Sequence, residues 1–206
     1  MIEQGTAEWK AQRCGKATAS RIADIIATTK TGVSASRTNY EAQLICERLT
    51  GTVAEGYTNA AMQHGIDTEP QARAAYEFMK NVDVVLAEFV DHPRVPMSGA
   101  SPDGFVGDDG LIEIKCPQPA AHLETLLSRK VPAKYVTQMM WQMAVTGRAW
   151  CDYVSFSPAF PAHLQLFVQR VQRDEAVVSD LEKQVLAFLA DVDRKVAQLQ
   201  PMERAA

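Results

Sequence analysis

The sequence predicts an α/β domain, a central mixed sheet of about five strands flanked by helices on both faces. Three observations carry that reading. Apolar residues recur at helical spacing up to residue 80. The period then shortens to that of extended chain, with an Asp-Gly turn joining two runs. A long amphipathic stretch closes the sequence. A chain of 206 residues fits one domain, taken as residues 1–206. It is long enough to remove ~70% of its unfolded surface from water.

Residues 8–13 fit a short helix. Thr18 or Ser20 is placed to cap a second, through Ile22, Ile25 and Ile26. Residues 30–36 form a polar loop. Residues 37–49 make a third helix, with Ala42, Leu44, Ile45 and Leu49 apolar and a stop before Gly51. Residues 59–80 are helical but contain Pro70, which pushes Glu69 away from helical geometry. Thr68-Glu69-Pro70-Gln71 also fits a capping box. The segment is therefore two helices or one with a kink, with Ala74, Tyr76 and Phe78 toward a core. Residues 82–90, 97–106 and 110–116 are strands, the last two joined at Gly107-Asp108-Asp109-Gly110. Helices follow at 121–129 and 133–146, then strands at 150–157 and 164–172. An amphipathic helix over 174–199 carries Val178, Leu181, Val185, Leu189 and Val192 on one stripe.

Hydrophobic residues make up 47% and charged residues 22% of the chain, which excludes a mostly disordered protein. No apolar run approaches the ~18–20 residues that span a bilayer. Met1-Ile2-Glu3-Gln4-Gly5 has neither the basic start nor the apolar stretch of a signal peptide, so a cytoplasmic location is expected. Cys14, Cys46, Cys116 and Cys151 are far apart, with no CxxC pair, and are expected to be reduced and buried. The net charge of −4 argues against a general polyanion binder. Yet residues 1–50 hold seven Lys/Arg against five Asp/Glu, and residues 51–100 hold three against seven. A local basic patch is compatible with that distribution.

The informative stretch is Ser101-Pro102-Asp103-Gly104-Phe105 followed by Leu111-Ile112-Glu113-Ile114-Lys115-Cys116-Pro117. Side chains alternate across a strand, so Glu113 and Lys115 share one face and Ile112, Ile114 and Cys116 the other. The turn folds the preceding strand back and brings Asp103 alongside Glu113. Two convergent carboxylates suit Mg²⁺, and an adjacent lysine can position or deprotonate an attacking water. The plain alternative is a turn followed by the solvated face of an edge strand.

Asp103…Glu113-Ile114-Lys115 resembles the PD-(D/E)xK nuclease superfamily, and the wider arrangement resembles the lambda exonuclease / YqaJ-type phage recombination exonucleases. The likeness rests on five segments in order: Trp9 with Arg13-Cys14-Gly15-Lys16-Ala17-Thr18-Ala19-Ser20; Gly65-Ile66-Asp67-Thr68-Glu69-Pro70-Gln71-Ala72-Arg73; Ser101-Pro102-Asp103-Gly104; Glu113-Ile114-Lys115-Cys116-Pro117; and Tyr135-Val136-Thr137-Gln138-Met139-Met140-Trp141-Gln142.

The resemblance implies a restriction-endonuclease-like core in a single nuclease domain. It implies Asp103, Glu113 and the Ile114 carbonyl as metal ligands, Glu69 at a second metal or its water, and Lys115 acting on the nucleophilic water. Mg²⁺ in a two-metal site is the implied cofactor, with Mn²⁺ as a substitute. Arg13, Ser20, Ser101 and Gln138 match positions that grip a DNA 5′-phosphate, a role their donors suit. Tyr135 and Gln142 line or brace the site. His64 is either a structural or surface residue or a DNA contact, and Met62 either core or an apolar wedge against the base stack. The implied activity is Mg²⁺-dependent 5′→3′ digestion of one strand from double-stranded DNA ends, leaving 3′ single-stranded tails for recombination by annealing. The implied partners are DNA ends, a homotrimeric ring of this chain and a single-strand annealing protein, in a bacterial host, from a phage or prophage, with no membrane. The alternatives are a related endonuclease or an inactive DNA-end-binding module. The iron–sulfur branch of the superfamily needs a cysteine cluster near the C-terminus, and no cysteine lies beyond Cys151.

Overall fold

A computed structural model describes residues 4–30, 32–53 and 60–200. In chain order the elements are α1 (Ala7–Arg13), β1 (Ala17–Thr18), α2 (Ile22–Ile26), β2 (Thr28–Thr29), β3 (Gly32–Val33), α3 (Ala35–Thr50) and α4 (Ala60–Lys80). Then come β4 (Val84–Val85), β5 (Val90–Asp91), β6 (Ser98–Ala100), β7 (Gly104–Val106) and β8 (Gly110–Lys115). The chain continues through α5 (Pro119–Ser128), α6 (Ala133–Thr146), β9 (Trp150–Phe156), β10 (Leu166–Gln172) and α7 (Glu175–Leu199). Local chemistry sets several ends. The Thr6, Ser34 and Asp174 side chains accept from backbone N–H groups in the first turns of α1, α3 and α7. Gly51 and Gly147 close α3 and α6 in the left-handed conformation. Neither Thr18 nor Ser20 caps α2, which follows directly on a 3₁₀ turn at Ala19–Arg21.

The expected five-stranded sheet is present, in the order β10-β9-β8-β7-β4. The β8–β9 pair is parallel, with Lys115 opposite Ser155, and the other pairs are antiparallel. Its centre is β8, so the solvated-edge alternative for Glu113 and Lys115 does not hold: Glu113 is fully buried. The alternation holds. Leu111 packs in a cluster with α2, α3, α6 and α7, whereas Ile112, Ile114 and Cys116 pack with Ala72 and Tyr76 of α4 on the opposite face. A Cβ at Gly110 would stand 2.1 Å from the Trp150 ring, so only glycine lets β8 and β9 start side by side.

Several expectations need correction. The stretch 82–90 is not one strand: β4 joins the main sheet, while β5 pairs with β6 in a smaller sheet of order β1-β6-β5. The stretch 97–106 divides at Ser101-Pro102-Asp103 into β6 and β7. The polar loop contains β3, paired with β2, with residue 31 outside the described residues. Helix α4 runs through Pro70 as one element, and residue 59 lies outside the described residues. Its buried face is Thr68, Ala72 and Tyr76, while Ala74 is exposed and Phe78 is 92% exposed. Steps of two residues keep one face in a strand but turn ~200° round a helix, whereas steps of four hold it. Ala42 and Leu49 of α3 are likewise exposed. Cys116 and Cys151 are buried as expected, but Cys14 is half-buried and Cys46 exposed.

Candidate active site

The chain leaves β6 at Ala100 and re-enters the sheet at Gly104, which pairs with Ile112. That register sets Asp103 beside Glu113. The Ile114 N–H donates to Asp103 Oδ2 at 2.6 Å, locking the carboxylate onto the next strand. The Glu113 carboxylate is held from three directions. Gln138 Nε2 donates to Oε1 at 2.7 Å, Gln142 Nε2 donates to Oε2 at 2.6 Å, and the Lys115 ammonium pairs with Oε1. Gln138 and Gln142 lie four residues apart and so share one face of α6. The Gln142 Oε1 is buried and has no hydrogen-bond partner among the described residues. Lys115 Nζ also stands 5.3 Å from the ring centre of Tyr135, which stacks on Tyr153 at 5.6 Å.

These charges act on one another. Burial, then the charge of Glu113, pushes the Asp103 carboxyl well above the usual range; Lys115 and the Ile114 N–H pull it back, and Glu69 pushes it up. For Lys115, burial favours the neutral amine, but Glu113 and Asp103 outweigh it and hold the ammonium protonated. Cys116 is pushed up to about 12 by burial, then by Glu69 and Asp103. Glu69 therefore lies within electrostatic reach of the pair, while its Oε1 accepts from Arg73 at 2.7 Å. Among the described residues no three His, Cys, Asp or Glu side chains form a ready-made metal cage. The donor set nevertheless fits Mg²⁺, a hard ion that keeps several waters and takes one or two carboxylates. Burial, and then the charge of Glu113, disfavours an ionised Asp103, and a divalent cation bound to these carboxylates would offset both.

Beside the carboxylates lies a cavity of about 220 Å³, lined by Arg13, Ser20, Ser101, Asp103 and Gln138 with Gln4, Trp9, Thr18 and Ala19. All four residues assigned to a phosphate pocket thus meet in one concavity. The Arg13 guanidinium lies 3.8 Å from the centre of the Trp9 ring, and Trp9 Nε1 donates to Ser101 Oγ at 2.9 Å. The Ser101 hydroxyl proton remains to be donated elsewhere. Burial draws the Arg13 pKa down, while Tyr40 and Glu47 act in the opposite sense.

Sequence reasoning missed what holds this wall. The buried Glu47 carboxylate of α3 accepts from Gly15 N–H and from Gln43 Nε2, both at 2.8 Å, and Arg48 Nε donates to the Gly15 carbonyl at 2.8 Å. Tyr40 Oη accepts from Thr18 N–H at 3.0 Å. Gly15 has φ of +69°, a conformation glycine adopts without strain. The available signal was an acid on the same helical stripe as Tyr40 and Leu44, one turn before a helix-ending glycine. Of the remaining residues, His64 faces Thr68 Oγ1 at 3.4 Å, and Met62 is 54% exposed, which places it outside the core.

The family model described as "YqaJ-like viral recombinase domain" matches residues 8–149. The crystal structure of an alkaline exonuclease, LHK-Exo, from Laribacter hongkongensis is 47% identical, with 97% of this chain and 98% of that chain covered and a TM-score of 0.90. A second crystal structure of LHK-Exo, in complex with dAMP, is also 47% identical over 97% of this chain and 98% of that chain, with a TM-score of 0.91. A phage-related exonuclease from Haemophilus somnus 129PT shares the fold at 15% identity and a TM-score of 0.75, over 89% of this chain and 96% of that chain. No curated protein matches the chain.

Proposed function

The chain belongs to the YqaJ-like viral recombinase family, and from that premise we propose that it is a Mg²⁺-dependent exonuclease that digests one strand of duplex DNA from its 5′ end. One observation carries the reading: Asp103, Glu113 and Lys115 converge beside the Arg13–Ser101 cavity, and Gln138 belongs to both. The relative's complex with dAMP, a mononucleotide of the kind an exonuclease releases, supports it.

Asp103 and Glu113 would hold the metal, with the Ile114 carbonyl as a further ligand and Glu69 at a second metal or its water. Bound there, Mg²⁺ supplies water activation and charge neutralisation at the scissile phosphate. The protein's own groups do the positioning. Gln138 and Gln142 fix the Glu113 carboxylate before substrate arrives. Lys115, kept protonated by its acidic neighbours, donates to the attacking water or the phosphate oxygen and offsets developing negative charge. Arg13, Ser20 and Ser101 receive the terminal 5′-phosphate, which sets the register of cutting and so its direction. The product is a duplex with a 3′ single-stranded tail, the substrate of an annealing protein, and three copies of the chain form a ring around the DNA.

The test is digestion of linear and closed-circular duplex DNA, each strand end labelled in turn, with Mg²⁺ or a chelator, on 5′-phosphate and 5′-hydroxyl ends. The expected result is Mg²⁺-dependent loss of one strand from phosphorylated 5′ ends, with circles intact. Cleavage of circles would establish an endonuclease instead, and tight binding without any cleavage an end-binding module. Arg13→Ala is expected to slow phosphorylated ends more than hydroxyl ends.

A further inference from the structure

The turn between α5 and α6 carries Arg129 and Lys130, and Lys134 stands in the first turn of α6; all three are exposed. Among the described residues none of the three has an ion-pair partner. Residues 116–150 hold four Lys/Arg against one Asp/Glu in a chain whose net charge is −4. Arg129 ends α5 in the left-handed conformation, φ 51°, where glycine ordinarily serves. Leu123 and Leu127, one turn apart on α5, are also exposed, the latter by 77%.

The turn is continuous with the active site. Lys134 Nζ stands 4.7 Å from the Tyr135 ring centre, and Lys115 Nζ stands 5.3 Å from the same ring. A line of neighbours therefore runs from the Arg13–Ser101 cavity through Asp103, Glu113, Lys115 and Tyr135 to Lys134. Along α6, Lys134 lies ~6 Å from Gln138, about one turn nearer the helix start. If the cavity holds the terminal phosphate and the carboxylates the next one, this turn faces the strand that is still uncut.

We infer that Arg129, Lys130 and Lys134 bind backbone phosphates of the substrate strand on the 3′ side of the scissile bond. The inference rests on the exonuclease reading above and adds a polyanion surface that the phosphate cavity does not include. Its contacts are to phosphate, so they add affinity without reading sequence. Bound polyanion contacts release counterions, so each phosphate neutralised contributes about −0.9 to the slope of log affinity against log salt.

The experiment compares the wild type with the combined variant Arg129→Ala/Lys130→Ala/Lys134→Ala on 5′-phosphorylated duplexes. In one duplex every linkage is natural; in another the second to fourth linkages of the digested strand are neutral methylphosphonates. Neutral linkages are expected to lower wild-type kcat/KM about tenfold through KM, and to change the variant little further. The variant's salt slope is expected to be shallower by roughly two to three. Lys183→Ala, an exposed cation of α7, is expected to keep the wild-type slope. Equal proportional losses for wild type and variant would overturn the inference. So would a variant whose sedimentation mass changes while its salt slope does not, which would make the turn a contact between copies of the chain. Failure of the wild type to cut any duplex would instead overturn the exonuclease reading itself.

Discussion

At the scale of single residues, the site is organised around a carboxylate that has no contact with solvent. Glu113 is fully buried and accepts from two amides and an ammonium. Gln142→Leu keeps the volume and removes the donor to Oε2. An unpaired buried acceptor costs ~1–3 kcal/mol, and loss of a side chain that orients a metal ligand typically lowers metal affinity or activity about 10–100-fold. We expect a lower melting temperature and a raised Mg²⁺ requirement, read from melts and a Mg²⁺ titration of the cutting rate. Asp103→Ala and Lys115→Ala should abolish cutting while binding of DNA ends largely survives; activity in either would refute the assignment. Asp103, Glu113 and Lys115 were legible in the sequence because alternation along one strand and one tight turn fix their relations. The resemblance placed Gln142 at the site, but its bond to Glu113 was not legible, since that depends on how α6 docks against a strand 29 residues away.

At the scale of elements, two supports invite tests. Helix α3 grips the Arg13–Thr18 segment through Tyr40, Glu47 and Arg48. Glu47→Ala strips acceptors from Gly15 N–H and Gln43. The expected cost is ~1–3 kcal/mol in a denaturant melt, with weaker discrimination between phosphate and hydroxyl ends; Glu47→Gln, which keeps an acceptor oxygen, should recover part of both. The turn between β5 and β6 is closed by His92, whose Nδ1 accepts from the N–H groups of Arg94 and Val95, each at 3.1 Å. Burial, ahead of the opposing pull of Glu182, lowers its pKa below the ordinary 6.5. A depressed folded-state pKa contributes stability above pH 6.5 that is lost as pH falls through the folded value, because the unfolded chain takes up the proton first. The melting temperature should drop between about pH 7 and about pH 5, and His92→Asn, which has an acceptor but does not titrate, should flatten that drop. Periodicity placed the long helices well, because each buries a continuous stripe. It merged β4 with β5 and β6 with β7, because hydrophobicity marks extended chain but not where a strand changes its partner.

At the scale of the whole molecule, the central sheet and its two helical layers followed from the alternation of helical and extended periods. The order of strands did not, since pairing β8 with β9 in parallel requires the crossover through α5 and α6 to be seen in space. The ring proposed for the chain predicts a sedimentation mass of three copies, and a monomer at all concentrations would refute it. The distribution of thiols has a practical consequence. Cys116 and Cys151 are enclosed, and Cys14 is half-covered with its Sγ directed at the Glu47 carbonyl, whereas Cys46 stands in the open on α3. The native protein thus carries its own attachment point for a maleimide fluorophore, on a helix outside the sheet that holds the carboxylates. One dye per chain at Cys46 would let a single enzyme be followed along a tethered DNA, without first engineering a cysteine into it.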